Sequence, residues 1–183
     1  RVWGNYPALE YLRDLRRGTL PPNIQISEFF MKAGVFLDNL IEQQNYISSN
    51  YTHIARDMLE NGVNVIAQMV GKKEIDGTPW YSLSCNPDVS PNLVPMLREM
   101  EEKVGYKVAV VAAVNNNLPF MYHDAMVPGS MFDMIIDNPS YDHTLFSTPN
   151  MAVEMDDYLI GMYVSTLIRD GGTLQIGIGS LGD

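Results

Sequence analysis

"KVAVVAAVN", residues 107–115, decides the fold. Val108, Val110 and Ala112 are apolar, and so are Ala109, Val111 and Ala113 between them. A strand apolar on both faces belongs inside a parallel sheet covered by helices. Just before it, "SPNLVPMLREMEEKVG", residues 90–105, sets Leu93, Met96, Leu97, Met100 and Val104 at helical spacing. Ser90 stands as the helix cap and Pro91 at the first helical position, where proline's missing N–H is least costly.

Outward from this pair the alternation continues. "VNVIAQMV", residues 63–70, is rich in β-branched side chains and predicts a strand. "DGTPWYSLSC", residues 76–85, opens with a turn and ends in a second strand. "NYTHIARDMLENG", residues 50–62, predicts a helix capped by Asn50 and stopped at Gly62. Two earlier helices are expected over residues 6–18 and 27–44. The first carries Arg13, Arg16 and Arg17 toward the end where the helix dipole favours cations. The second has Ser27 as cap and Phe29, Phe30, Ala33, Phe36, Leu37, Leu40 and Ile41 on one stripe. Downstream, "SMFDMIIDN", residues 130–138, reads as a strand. Residues 154–172 read as a long helix with acids in its first turn and Arg169 in its last, and "TLQIG", residues 173–177, as a final strand. Alternating helices and strands predict an α/β fold with an open, mainly parallel sheet flanked by helices. The expected organisation is an N-terminal helical segment packed on the domain (1–44), an α/β core (45–150), and a helix with a first strand and glycine loop that open a second half (151–183).

The totals narrow the function. With 183 residues, 46% of them hydrophobic, the chain can bury a full core, and intrinsic disorder is not expected. A net charge of −10 argues against nucleic acid or an anionic membrane as partner. It leaves room for an anionic small ligand held by backbone N–H groups. The longest apolar run, residues 108–114, is far too short to span a bilayer. Cys85, the one cysteine, excludes an internal disulfide; it fits a reducing, cytoplasmic setting and reads as a small half-buried thiol. The chain starts at Arg1 and stops inside a glycine loop, so a piece of a longer polypeptide is expected.

Two stretches carry candidate chemistry. "GIGSLG", residues 177–182, spells G-x-G-x-x-G. In a dinucleotide fold that motif occupies the first βα turn, with an acid about twenty residues later. Here several strands precede it, so a different backbone-amide site fits better, with Gly177, Gly179 and Gly182 letting the main chain approach a ligand. "AVNNNLPFMYHDA", residues 113–125, leaves the best strand at the sheet end where α/β ligands bind. Asn115, Pro119, His123 and Asp124 are its candidate contact residues. Glu60 lies at a helix end and reads as structural. His53, His123 and His143 lack metal-ligand spacing, so no metal is expected.

Taken together, these segments resemble the acetyl-CoA hydrolase/CoA-transferase family, the family I type that includes 4-hydroxybutyrate and succinyl-CoA:acetate CoA-transferases. "RDGGTLQIGIGSLGD" is similar to its strand and glycine loop, usually G-x-G-x-x-P-D. "AVNNNLPFMYHDA" resembles its V-N-x-x-M-P-x-x-x-G-D stretch, and "NVIAQMV" and "YSLSCNPD" its N-terminal strands and ligand-side loop. The likeness runs over most of residues 45–183. Gly182 stands where proline is usual, and His123 where glycine is usual, which predicts a loop of different shape.

The resemblance implies the first half of a two-half enzyme that moves CoA between a short-chain acyl-CoA and a small carboxylate, or water. A glutamate outside this chain would carry the glutamyl-CoA intermediate. Gly177, Gly179, Gly182, Asn115, Pro119, His123 and Asp124 would bind the CoA thioester, which is substrate rather than cofactor, and no cofactor is implied. No catalytic residue would lie in this chain, and the chain alone would be inactive. The expected partner is the missing C-terminal half of the same polypeptide, and a homodimer is a further expectation. Two alternatives are an oxidoreductase nucleotide-binding domain using the glycine motif and a non-catalytic acyl-CoA-binding module.

Overall fold

In the computed structural model, the described residues are 10–29, 36–85, 87, 89–145, 152–177 and 179–182. The chain divides into two compact units, Glu10–Leu145 and a second formed by Arg1–Leu9 with Phe146–Asp183.

The larger unit is built on a five-stranded sheet in the order β4-β2-β1-β3-β5. Its long strand is β1 (Val65–Ile75), flanked by β2 (Thr78–Ser82) and β3 (Ala109–Val114), with the short β4 (Met126–Pro128) and β5 (Met134–Ile136) at the edges. β1 changes partner halfway. Val65 to Val70 pair in parallel with Ala109 to Val114, whereas Gly71 to Ile75 pair antiparallel with Ser82 to Thr78. β5 is parallel to β3 and β4 antiparallel to β2, so β2 alone runs against the other strands. The expected open, mainly parallel α/β sheet is present.

The second half of β1 lies beyond the predicted strand. "GKKEI" is polar and has no periodicity of its own; it is a strand because Asp76 and Gly77 reverse the chain. Both hold positive φ, 51° and 73°, as a two-residue hairpin turn requires.

Two helices cover the sheet. α3 (Ile54–Glu60) and α4 (Ser90–Val104) pack Ala55, Leu93, Val94 and Leu97 onto Ile66, Val70, Val110, Ala112 and Val114. α3 stops where Gly62 turns left-handed at φ 79°, and α4 where Gly105 does so at 68°. Ser90 is not the cap of α4. That position belongs to Val89, and the Ser90 hydroxyl instead donates to Gln68 Oε1 on β1 at 2.6 Å. A polar strand residue facing the helix wants a partner more than the helix end wants a cap.

Of the first expected helix, residues 6–9 lie outside the described residues. α1 spans Glu10–Arg17, and Gly18 ends it with φ 66°. The long helix expected over 27–44 is broken: Asp38 is left-handed at φ 64°, and Asn39 starts a new short helix, α2 (Leu40–Gln44), by accepting from Glu42 N at 3.3 Å. Phe36 is buried, but Leu37, Leu40 and Ile41 are exposed, so they form no buried stripe. Phe30 and Ala33 lie outside the described residues.

In the smaller unit, α5 (Met155–Ser165) ends before Arg169. Ser165 Oγ and Thr166 Oγ1 donate to the carbonyls of Met162 and Tyr163, each at 2.7 Å, and compete with continuation of the helix. Residues 173–177 form no strand, because a strand exists only where a neighbour pairs with it and none of the described residues does. Among the described residues no helix is long and apolar enough to cross a membrane.

Candidate functional site

The first candidate segment leaves the C-terminal end of β3. Asn115 is 1% exposed, and its backbone N–H extends the ladder to Val70 O at 3.0 Å. Its side chain is fully engaged. Nδ2 donates to His143 O at 3.1 Å, and Oδ1 accepts from Asn117 N at 3.0 Å. Asn117 Nδ2 reaches the same His143 carbonyl at 3.0 Å. Asn116 completes the latch by donating its N–H and Nδ2 to the two carboxylate oxygens of Asp142, at 3.0 and 2.8 Å. Those bonds hold the Asp142 carboxyl below the usual aspartate range, the Asn116 side chain contributing most and its backbone next. The three asparagines therefore shape the loop, and Asn115 presents no free polar group.

The second part of the loop runs along the end of β2. Leu83 N donates to Ala125 O at 2.8 Å, continuing the ladder past Ser82. Ser84 Oγ donates to Pro119 O at 3.0 Å. Pro119, Tyr122, His123 and Asp124 are exposed. Lys73 Nζ lies 2.6 Å from the Tyr122 hydroxyl, and Phe120 packs edge-on against Tyr122. His123 holds φ 58°. Histidine tolerates the left-handed region better than most residues, at a cost of roughly 1–2 kcal/mol. The backbone at His123 thus takes a form that glycine adopts most readily. Cys85, next to Ser84, is exposed rather than half-buried. Glu60 ends α3 on the surface, 3.9 Å from Arg56.

Ser82, Ser84, Asp142 and His143 do the holding, a role not read from the sequence. The signal for the serines was present in "YSLSC": hydroxyls two residues apart lie on one side of an extended chain. Asp142 and His143 gave no comparable signal, because they act from a loop distant in sequence.

The glycine segment belongs to the smaller unit. Gly179 holds φ 147°, and Gly182 N donates to Gly179 O at 2.8 Å. A Cβ on Gly182 would fall 2.1 Å from the Gly177 carbonyl oxygen and 3.1 Å from Ile176 Cγ2. The turn therefore needs glycine at 182. Proline there would bring a Cβ and remove the N–H that closes the turn. Gly182 N–H is spent internally and is not one of the donors left to a ligand. A cavity of about 420 Å³ separates this segment from Gly161, Val164 and Ser165 of α5, with Ile168, Leu174, Ile176 and Leu181 giving it apolar walls. Among the described residues no cluster of His, Cys, Asp or Glu could hold a metal ion.

No family model matches the chain, and no curated protein matches it. Solved structures do. RipA from Yersinia pestis superposes with a TM-score of 0.63 at 22% identity over 87% of this chain. A point mutant of RipA gives 0.66 at 21% identity over 92%. A 4-hydroxybutyrate CoA-transferase from Porphyromonas gingivalis is also similar, covering 93% of this chain and 41% of its own at 18% identity, but its TM-score of 0.49 carries no argument. The chain spans only 36–38% of the two RipA chains. At these identities the likeness establishes the fold: an open, mostly parallel α/β sheet flanked by helices, shared with RipA.

Proposed function

We propose that the chain is most of the first half of a CoA-transferase, or of an acyl-CoA hydrolase of the same kind, acting on a short-chain acyl-CoA. One observation carries the reading. In the stretch that resembles V-N-x-x-M-P-x-x-x-G-D, His123 stands at the motif's glycine and holds φ 58°. A histidine is kept in a glycine-type conformation at the place where the motif has glycine, and Asp124 follows it as in the motif.

The reaction divides between chain and partner. A glutamate in the second half attacks the thioester carbonyl, giving an acyl-glutamyl anhydride and releasing CoA thiolate. The thiolate attacks the glutamyl carbonyl, forming glutamyl-CoA and freeing the first carboxylate. An acceptor carboxylate then attacks glutamyl-CoA, and returning thiolate leaves the new acyl-CoA and the regenerated glutamate; water in the acceptor's place makes a hydrolase. A carboxylate is a weak nucleophile, so the oxyanion needs preorganised donors. The N–H groups of Gly177 and Gly179 are the donors proposed for that role.

The test is mass spectrometry of the longer polypeptide after incubation with acetyl-CoA and borohydride-free quenching. A CoA adduct on one glutamate beyond residue 183 is expected, and its absence during turnover overturns the mechanism. The 183-residue chain alone is expected to show no turnover with acetyl-CoA and acetate or succinate; turnover by it defeats the division of labour.

A further inference from the structure

Ser82, the last residue of β2, is fully buried, and its hydroxyl makes every hydrogen bond a serine can. It donates to Met121 O at 2.8 Å and accepts from Met121 N at 2.9 Å. It also accepts from Ser84 N at 3.1 Å. One side chain thus grips both backbone groups of a single loop residue, as a neighbouring strand would. Ser84, left-handed at φ 63°, is turned so that its own hydroxyl reaches Pro119 O. The loop is tethered at Pro119, at Met121 and, through Leu83 N, at Ala125. Between the last two tethers stand Tyr122, His123 and Asp124, all exposed.

We infer that Ser82 is the positioning residue for this face: by holding Met121 at N and O it sets the direction in which Tyr122, His123 and Asp124 present themselves to a ligand. The ligand part rests on the acyl-CoA reading above. The geometry does not. Without the hydroxyl, Met121 loses both partners and Ser84 N loses its acceptor, so the left-handed turn at Ser84 loses a bond that offsets its cost.

Amide exchange on the 183-residue chain tests the tether. In S82A, exchange at Met121 and Ser84 rises about tenfold, the effect of losing one buried hydrogen bond. Exchange at Leu97 in α4 stays as in the wild type and shows that the fold survives. S82T, which keeps a hydroxyl, restores protection, and S84A frees only the Pro119 end. Unchanged exchange at Met121 in folded S82A overturns the inference, and so does failure of S84A and S82A to differ at Met121. In the longer polypeptide, S82A raises KM for acetyl-CoA about tenfold and leaves kcat within about twofold, with S82T close to the wild type. Freed amides with an unchanged KM overturn the positioning role. A wild-type polypeptide without CoA-transferase turnover defeats the acyl-CoA reading alone, since the exchange result stands without it.

Discussion

Helices α4 and α5 are both rich in apolar residues, yet α4 buries Leu93, Val94 and Leu97 whereas α5 buries nothing. Arg98, Glu99, Glu101, Glu102 and Lys103 give α4 a polar side, so its apolar side has one direction to face. In α5 the apolar residues go all the way round: Met155, Tyr158, Met162 and Tyr163 are each more than 60% exposed. Burial needs a partner surface as well as a side chain that prefers to leave water. The two units differ in the same way. The larger is held by a core; among the described residues of the smaller none is buried, and its glycine turn is set by backbone contact.

That contrast makes unequal demands on substitutions. Leu97→Ala, at a fully buried position, is expected to cost about 2–5 kcal/mol in denaturant unfolding. A loss below about 1 kcal/mol would mean that α4 does not carry the fold. Asn115→Ala removes the bonds to His143 O and from Asn117 N, and should cost about 1–3 kcal/mol with faster exchange through residues 115–118. An unchanged midpoint would show the latch to be incidental.

Acid should open the same latch. The Asp142 carboxyl titrates below its ordinary value because Asn116 donates to the charged form. Its contribution is therefore complete above the ordinary aspartate pKa of about 3.9 and is lost as pH falls through the lower folded value. Exchange at Asn116 should rise below about pH 4, and Asp142→Asn should remove that pH dependence. If the mutant keeps it, another group controls the loop.

The smaller unit should respond locally. Gly182→Pro cannot keep the 179–182 turn, so NMR shifts change across residues 176–182 while the global midpoint stays put. Tyr163→Ala, at an α5 residue 73% exposed, should shift unfolding by less than about 0.5 kcal/mol. A larger loss would reveal a surface that covers α5, and would narrow the contrast between the two helices.

Much of this was legible in the residues and some was not, for identifiable reasons. The two-sided apolar run through Val110 and Ala112 announced a buried strand, and Asp76-Gly77 announced a turn. The polar continuation "KKEI" was hidden, because its strand character comes from β2 and not from its own pattern. The loop after β3 was visible as unusual, but the bracing bonds of its asparagines were not. Nothing local distinguishes an amide that meets a substrate from one that meets His143 O, a carbonyl 28 residues away.

By itself the sequence determined the α/β class, the position of α4, the end of α3 at Gly62, the central strands and the two glycine- and asparagine-rich loops, because periodicity and turn residues act over a few neighbours. Only the tertiary structure decided that β1 serves two partners, that Ser82 and Ser90 spend their hydroxyls across the fold, that His123 holds a glycine's conformation, and that Gly182 admits no side chain. Each depends on atoms brought together from distant parts of the chain, and such meetings leave no periodic trace.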